Sequence, residues 1–338
     1  MPLRLLELTI PDGEADRLPD LLRDIPVLHM WATENGEAND FVRVLVEAQH
    51  VEAISDVLAN HYGPRNDFRL ISLAVEATVP TVPPPESEHA EGEEPEKGRK
   101  DPRRISREEL YEDLAEASKL TNLYLVMVAL STVVAAVGLI RGDIAIVIGA
   151  MVIAPLLGPN IALSLACTLG DPDLAKRSLR AVGAGVAVAA AFSLLLGVVL
   201  TVDPSTPAIE ARTQASLADV ALALAAGAAG TLAFTSGVPA VVVGVMVAVA
   251  LLPPLVTAGL LAGSGHWTLA GGAFMLVLTN VTCINLAATA TFLIQKVGPR
   301  TWWEAERAKK ATRLAVVTWI VMLAVLLGLM LLSQMRNA

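Results

Sequence analysis

The chain of 338 residues is 54% apolar and 17% charged, with a formal net charge of −9, against roughly 45–50% apolar and about 25% charged in an ordinary soluble domain. The charge is segregated: residues 1–120 hold 26 of the 34 acidic and 13 of the 25 basic side chains, leaving 20 charges for residues 121–338. A single soluble globule is thereby excluded, and the 14 carboxylates facing 6 arginines in residues 1–80 argue against a nucleic-acid partner, since they repel phosphate.

Leu3–Ile10 reads as a strand closed by the turn Pro11-Asp12-Gly13. Ala15, Leu18, Leu21 and Leu22 follow a helical spacing, and Pro19 sets the helix start near residue 16, because proline fits only a first turn. Val27–Thr33 and Phe41–Val46 read as strands joined by the hairpin signal Glu34-Asn35-Gly36-Glu37. Val51, Ile54, Val57 and Leu58 make one face of a second helix that ends near Gly63-Pro64, and Phe68–Val75 is the last strand. The order βαββαβ predicts an α+β ferredoxin-like domain over residues 1–79. Its first strand is interrupted by Glu7 and does not form a signal peptide, so this domain is expected to be cytoplasmic.

Residues 80–105 form a linker, with Pro80, Pro83, Pro84, Pro85 and Pro95 beside six glutamates from Glu86 to Glu96 and then a basic run beginning at Lys97. Ser106-Arg107-Glu108-Glu109 matches a helix capping box, and it opens a membrane domain over 106–335. Seven apolar segments follow, at 122–140, 144–169, 181–202, 216–236, 238–263, 269–295 and 314–332, each near or above the roughly 20 residues that cross a hydrocarbon core. Seven Lys/Arg precede the first segment, Lys176, Arg177 and Arg180 follow the second, and Lys296 to Arg313 follow the sixth, whereas the opposite loops hold only Arg141, Arg212 and Arg336. The positive-inside rule then sets the N-terminus inside and the C-terminus outside a cell inner membrane.

Gly142 to Pro159 aligns without gaps to Gly237 to Pro254, a spacing of 95 residues, with nine of eighteen positions identical. The matches include Gly149 with Gly244, Met151 with Met246 and Pro159 with Pro254. Three spans separate equivalent points, and an odd number reverses the direction of threading. The expected architecture is therefore an α-helical polytopic membrane protein of about seven transmembrane helices. It would comprise two inverted three-helix repeats, 121–202 and 216–296, plus an extra helix at 314–332.

Pro155, Gly158, Pro159, Pro253 and Pro254 interrupt the second and fifth segments. Freed carbonyls in hydrocarbon cost several kcal/mol each (about 2–7), so a break is tolerable only where it is buried in protein or lines a wet cavity. Matched Gly/Pro interruptions in two halves are the sequence pointer to a transport path. The expected path residues are Gly149, Met151, Pro155, Gly158, Pro159, Asn160, Gly244, Met246, Pro253, Pro254, Thr257, Asn280 and Asn285. The opposing reading, kinked prolines and amides that merely fasten helices together, stays open for each of them. Ser131, Thr132, Thr231 and Thr235 are expected to bond their own backbones. No ionisable side chain sits mid-span, which disfavours a carboxylate proton relay. Cys167 and Cys283 read as buried apolar residues, no metal or cofactor is implied, and no nucleophile elbow, phosphate loop or HExxH motif suggests an enzyme. Small residues at Ala221–Gly230, Gly183, Gly185, Gly271 and Gly272 allow close helix packing or self-association into a homo-oligomer.

Ile148-Gly149-Ala150-Met151-Val152-Ile153-Ala154-Pro155-Leu156-Leu157-Gly158-Pro159, preceded by Leu130-Ser131-Thr132, resembles the hallmark of family 389 of the domains of unknown function, a hydrophobic membrane family of bacteria and archaea. Val243-Gly244-Val245-Met246 through Pro253-Pro254-Leu255, with Asn280, is similar to its second signature, Val247-Ala248 being a mild departure from the usual Ile-Ala. The resemblance covers about 120–296 and implies a two-half membrane domain; it brings no substrate with it. The sequence as a whole reads as a transporter or channel for a small solute or ion in the lipid bilayer, with a cytoplasmic regulatory or assembly domain. The alternative is a membrane-anchored sensor or scaffold without transport.

Overall fold

In the computed structural model, which describes residues 3–33, 39–63, 68–75, 78, 105–237, 251–299 and 302–337, the chain divides into two compact units, Met1–Leu110 and Tyr111–Ala338. Gly244 and Met246 lie outside the described residues, as does the hairpin turn at 34–37.

The first unit is built on strict alternation. In β1 (Leu3–Pro11) Leu6, Leu8 and Ile10 are buried, while Leu5, Glu7 and Thr9 face the other way and remain partly exposed. β2 (His29–Thr33), β3 (Asn39–Glu47) and β4 (Arg69–Val75) complete an antiparallel sheet in the order β2-β3-β1-β4. The register sets Leu6 opposite Val44 and Leu8 opposite Val42. Onto that apolar face the helix Ala48–Tyr62 lays Val51, Ile54, Leu58 and Tyr62. The first expected helix is shorter than its spacing predicts: a 3-10 turn at Ala15–Arg17 leads into a single helical turn, α1 (Leu18–Leu21). Leu18 and Leu22 reach the core from that one turn, and the helix ends at Leu22, whose φ −99° and ψ 9° leave the helical region. The 48–62 helix is α2.

Ser106 caps α3 (Arg107–Ala117) as expected on one side, its Oγ accepting the Glu109 N–H at 3.1 Å. The return bond of the box is absent because the Glu109 carboxylate takes Arg4 of β1, at 2.8 and 3.2 Å. A charge-assisted pair with two donors is the stronger option.

The second unit is helical. α4 (Asn122–Arg141), α7 (Pro172–Val199), α9 (Leu217–Thr235), α11 (Trp267–Ile294) and residues 306–332 of α12 (Trp302–Asn337) are long and apolar enough to cross a membrane. α5 (Ile144–Ile153) and α6 (Leu157–Leu169) form an apolar pair bent by 51°, the geometry of either a broken span or a re-entrant loop. A short turn, α8 (Pro207–Glu210), precedes α9, and α10 (Leu252–Gly263) is the described part of the segment expected at 238–263. Among the described residues there are thus five helices long and apolar enough to cross a membrane, or six if the bent pair is one span; of the seven segments the sequence predicts, most of 238–263 lies outside the described residues or in the short helix α10.

The 95-residue spacing governs much more than the aligned signature. α4 begins at Asn122 and α9 at Leu217, α6 begins at Leu157 and α10 at Leu252, and α7 runs Pro172–Val199 where α11 runs Trp267–Ile294. The punctuation repeats too. Thr121 Oγ1 accepts the N–H of Tyr124, and Ser216 Oγ that of Asp219 in a full capping box. Gly142 and Gly237 take φ of 66° and 70°, and Gly170 and Gly265 take 70° and 86°, left-handed values that glycine adopts without steric cost. The helix start recurs even where the residues differ: Asp171 and His266 both stand at the N-cap position, although only Asp171 accepts backbone N–H groups there.

α6 packs against α7 and α11, and α10 packs against the same two helices. The α7–α10 seam closes to backbone contact: a Cβ at Gly197 would strike the carbonyl of Leu260, and one at Gly263 the carbonyl of Leu194. Gly185, Gly227 and Gly272 are likewise consumed by internal packing, against Tyr124, Ile284 and Thr213.

At the start of α7 the Tyr111 hydroxyl donates to Asp171 Oδ2 at 2.7 Å, and Asp171 also accepts the N–H groups of Asp173 and Leu174. Burial, then the Asp171 carboxylate, pushes the Tyr111 phenol up to about 12. Burial alone would raise Asp171, but the Leu174 N–H, the Tyr111 hydroxyl, the Asp173 N–H and Arg177 together hold it below the usual carboxylate range. The depressed carboxylate stabilises the fold above its unfolded pKa and loses that contribution as pH falls through the folded value. Tyr111→Phe should therefore lower stability at pH 7 by about 1–2 kcal/mol, and the difference from wild type should shrink below pH 4; thermal unfolding in detergent across pH 3–8 measures both.

Candidate functional site

The chain leaves the α5 helix where proline chemistry requires. Ala154, ahead of Pro155, has φ −71° and ψ 116°, the extended conformation that a following proline enforces. Leu156 returns to helical angles and α6 starts at Leu157. Pro155 alone causes the break. Pro159 is the third residue of α6, and Pro253 and Pro254 are the second and third of α10, first-turn positions whose N–H groups have no intrahelical acceptor. Pro159, Pro253 and Pro254 thus occupy the first turns of α6 and α10; residues 238–250, ahead of α10, lie outside the described ones.

Ser131, expected to bond its own helix, instead crosses to α5 and donates to the Ala150 carbonyl at 2.5 Å. That carbonyl lies in the last turn of α5 and also accepts the Ala154 N–H at 3.2 Å, so the Ser131 bond fastens α4 to α5 beside the break. Thr132, Thr231 and Thr235 donate to Val128, Gly227 and Leu232 within their own helices. Leu156 packs at Gly185 next to the Tyr124 ring, whose hydroxyl donates to Ala181 O at 2.9 Å. The break therefore lies level with the first turn of α4, nearer one end of that helix than its middle.

Past the break, Asn160, Ser164 and Asn285 meet between α6 and α11. Ser164 Oγ donates to Asn285 Oδ1 at 2.9 Å, Asn285 Nδ2 donates to Asn160 Oδ1 at 3.2 Å and to Val281 O at 2.8 Å, and Asn160 Nδ2 donates to Leu156 O at 2.8 Å. Asn160 is 3% exposed and the other two are fully buried. Ser164 is the member that the expected path residues omit; its spacing of four from Asn160 on one helix face was the available signal.

The remaining described positions are distributed over α5, α6, α10 and α11. Gly149 lies on an exposed helix surface with nothing within reach of a Cβ, and Met151 is buried. Gly158 accommodates the Ala117 methyl of α3, a Cβ there falling 2.7 Å from it. Pro253, Pro254 and Thr257 are buried in α10, and Asn280 is buried in α11. Thr257 Oγ1 has no hydrogen-bond partner. Asp219 is fully engaged at the α9 cap. What this region offers chemically is neutral oxygen: amide, hydroxyl and carbonyl groups suited to a weakly bound cation or polar solute, or to locking helices together.

A family model described as a domain of unknown function (DUF389) matches residues 151–286. An uncharacterized protein of Methanocaldococcus jannaschii is 35% identical over 322 residues, which span 95% of this chain and 97% of that one. No solved structure matches. The chain belongs to the DUF389 family.

Truncating the Asn285 side chain leaves the buried Asn160 Oδ1 without its donor, while Ser164 Oγ keeps the main-chain carbonyls of Asn160 and Asn285 at 3.4 and 3.3 Å. Asn285→Ala should cost about 1–3 kcal/mol. The double variant Asn160→Ala with Asn285→Ala should lose less than the sum of the two single changes, as a double-mutant cycle of thermal unfolding in detergent would read directly.

Proposed function

We propose that this DUF389 protein is a multi-pass transporter or channel whose membrane domain is two inverted three-helix repeats plus one helix, the solute path running between the two proline-started helices α6 and α10. The observation that carries the reading is the recurrence of helix bounds at 95 residues on either side of the Pro155 break, because Gly/Pro punctuation at corresponding positions of two halves is the usual pointer to a transporter's solute site. The packing supports it. α6 is joined to the start of α7 through Gly170-Asp171, whereas α10 meets α7 near its other end at Ser193 and Gly197, as two halves threaded in contrary senses require. The substrate would be a small polar solute or an ion held by neutral oxygens. The chain is read as a non-enzyme, and its N-terminal sheet as a ferredoxin-like cytoplasmic domain that regulates or assembles it.

Wild-type protein in proteoliposomes should conduct at least one inorganic ion or small polar solute above protein-free vesicles, and Pro155→Ala, which lets α5 continue, should reduce that flux about tenfold, equivalent to 1.4 kcal/mol in the transport barrier. One observation favours a scaffold instead: Asn160, Ser164 and Asn285 satisfy one another. Vesicles that remain tight to every solute tested would select the scaffold.

The threading is separately checkable. A periplasm-active reporter fused after Arg212 or after Arg336 should be active, and one fused after Arg180 inactive, in accord with the distribution of basic loops.

A further inference from the structure

The sheet of the first unit has two unlike edges. β2 is five residues long and follows Pro26 closely. β4 runs seven residues, Arg69–Val75, and among the described residues it pairs only with β1. From Leu70 to Val75 it has no charge and no proline, none of the devices by which an edge strand ordinarily repels another. Ile71 and Leu73 are 44% and 42% exposed, and they stand on the same outward face as Leu5 and Leu45, by register.

The free edge presents alternating backbone donors and acceptors, so its complement is a strand. The chain's own linker is a poor one: residues 80–104 carry six prolines, which lack the donor, and six glutamates from Glu86 to Glu96. β4 itself is a good one. Paired antiparallel with a second β4 about Ser72, it sets Ile71 opposite Leu73, Leu70 opposite Ala74 and Arg69 opposite Val75, apolar against apolar through the centre with no like charges opposed. Every residue keeps its own side of the sheet in that register. Copies confined to one bilayer also meet at raised effective concentration.

We infer that β4 is the pairing edge for a second copy of this chain, joining two sheets into one continuous sheet across a two-fold axis at Ser72. The pairing concerns the first unit alone and holds whether or not the membrane domain moves a solute.

Directly opposed residues of an antiparallel pair have Cα atoms about 4.5–5.5 Å apart, within disulfide range. Full-length Ser72→Cys in native membranes should therefore convert to a covalent dimer on mild oxidation, about tenfold faster than Ala32→Cys on the β2 edge and than wild type with its native Cys167 and Cys283. Adding Ile71→Lys with Leu73→Lys should abolish the cross-link, and Ile71→Lys with Leu73→Glu should restore it, since each lysine then faces a glutamate of the other copy. Equal cross-linking of Ser72→Cys and Ala32→Cys overturns the inference without need of the lysine variants. So does a Ser72→Cys chain that cross-links only after residues 80–104 are deleted, which would give the edge to the chain's own linker.

Discussion

A proline inside an apolar helix forces the chain off helical geometry, and the membrane unit is arranged around that constraint. Pro155 has no N–H to return to the carbonyl of Met151, and the residue before it cannot stay helical. Side chains then tie both sides of the bend in place. Ser131 reaches from α4 to the carbonyl of Ala150, which also accepts the Ala154 N–H, and Asn160 turns its amide back onto Leu156. The first turn of α6 is occupied by Pro159, which needs no acceptor. These bonds hold the bend in register with its neighbours; they add to the helical bonds at Ala150 and Leu156 and do not stand in for the one lost at Met151.

The two seams that flank α7 and α11 solve the same packing problem by opposite chemistry. Where α10 meets α7, Gly197, Gly259 and Gly263 let backbones touch, and dispersion over a close contact does the work. Where α6 meets α11, the position equivalent to Gly259 is Ser164 and a chain of side-chain hydrogen bonds replaces the bare contact. In lipid such bonds average well under 1 kcal/mol each when measured by double-mutant cycles (about 0.6). The value of this polar chain therefore lies more in fixing register than in stability, because a shift of one residue along either helix would leave several buried oxygens and nitrogens unmatched.

The first unit depends on a separate constraint, the period-two burial of β1 and β3. Its central strands pair Leu6 with Val44 and Leu8 with Val42, so one face is committed to α1 and α2. The other face bears the Arg43–Glu7 ion pair at 2.8 Å beside partly exposed leucines. A sheet of this kind stays soluble on its own only if its edges are short, charged or paired, and β4 is none of the first two.

Sequence alone determined which stretches are helix, strand or apolar span, because those depend on local spacing and on residues whose effect is carried by their own backbone. The strands near Leu3, Phe41 and Phe68, the cap at Ser216 and the helix over 48–62 are of that kind. So is the recurrence of one signature at a spacing of 95 residues, visible in the Gly, Met and Pro matches. The tertiary structure decided what distance in the chain conceals. Pro155 breaks a helix whereas Pro159, Pro253 and Pro254 begin one, a distinction set by where each helix starts. Asn285 finds Asn160 and Ser164 across 125 and 121 positions of chain, and Glu109 abandons its own capping box for Arg4, 105 positions away. The equal helix bounds of the two halves, preserved even where Asp171 is replaced by His266, also needed coordinates, since what repeats there is the packed backbone and the residues are free to differ.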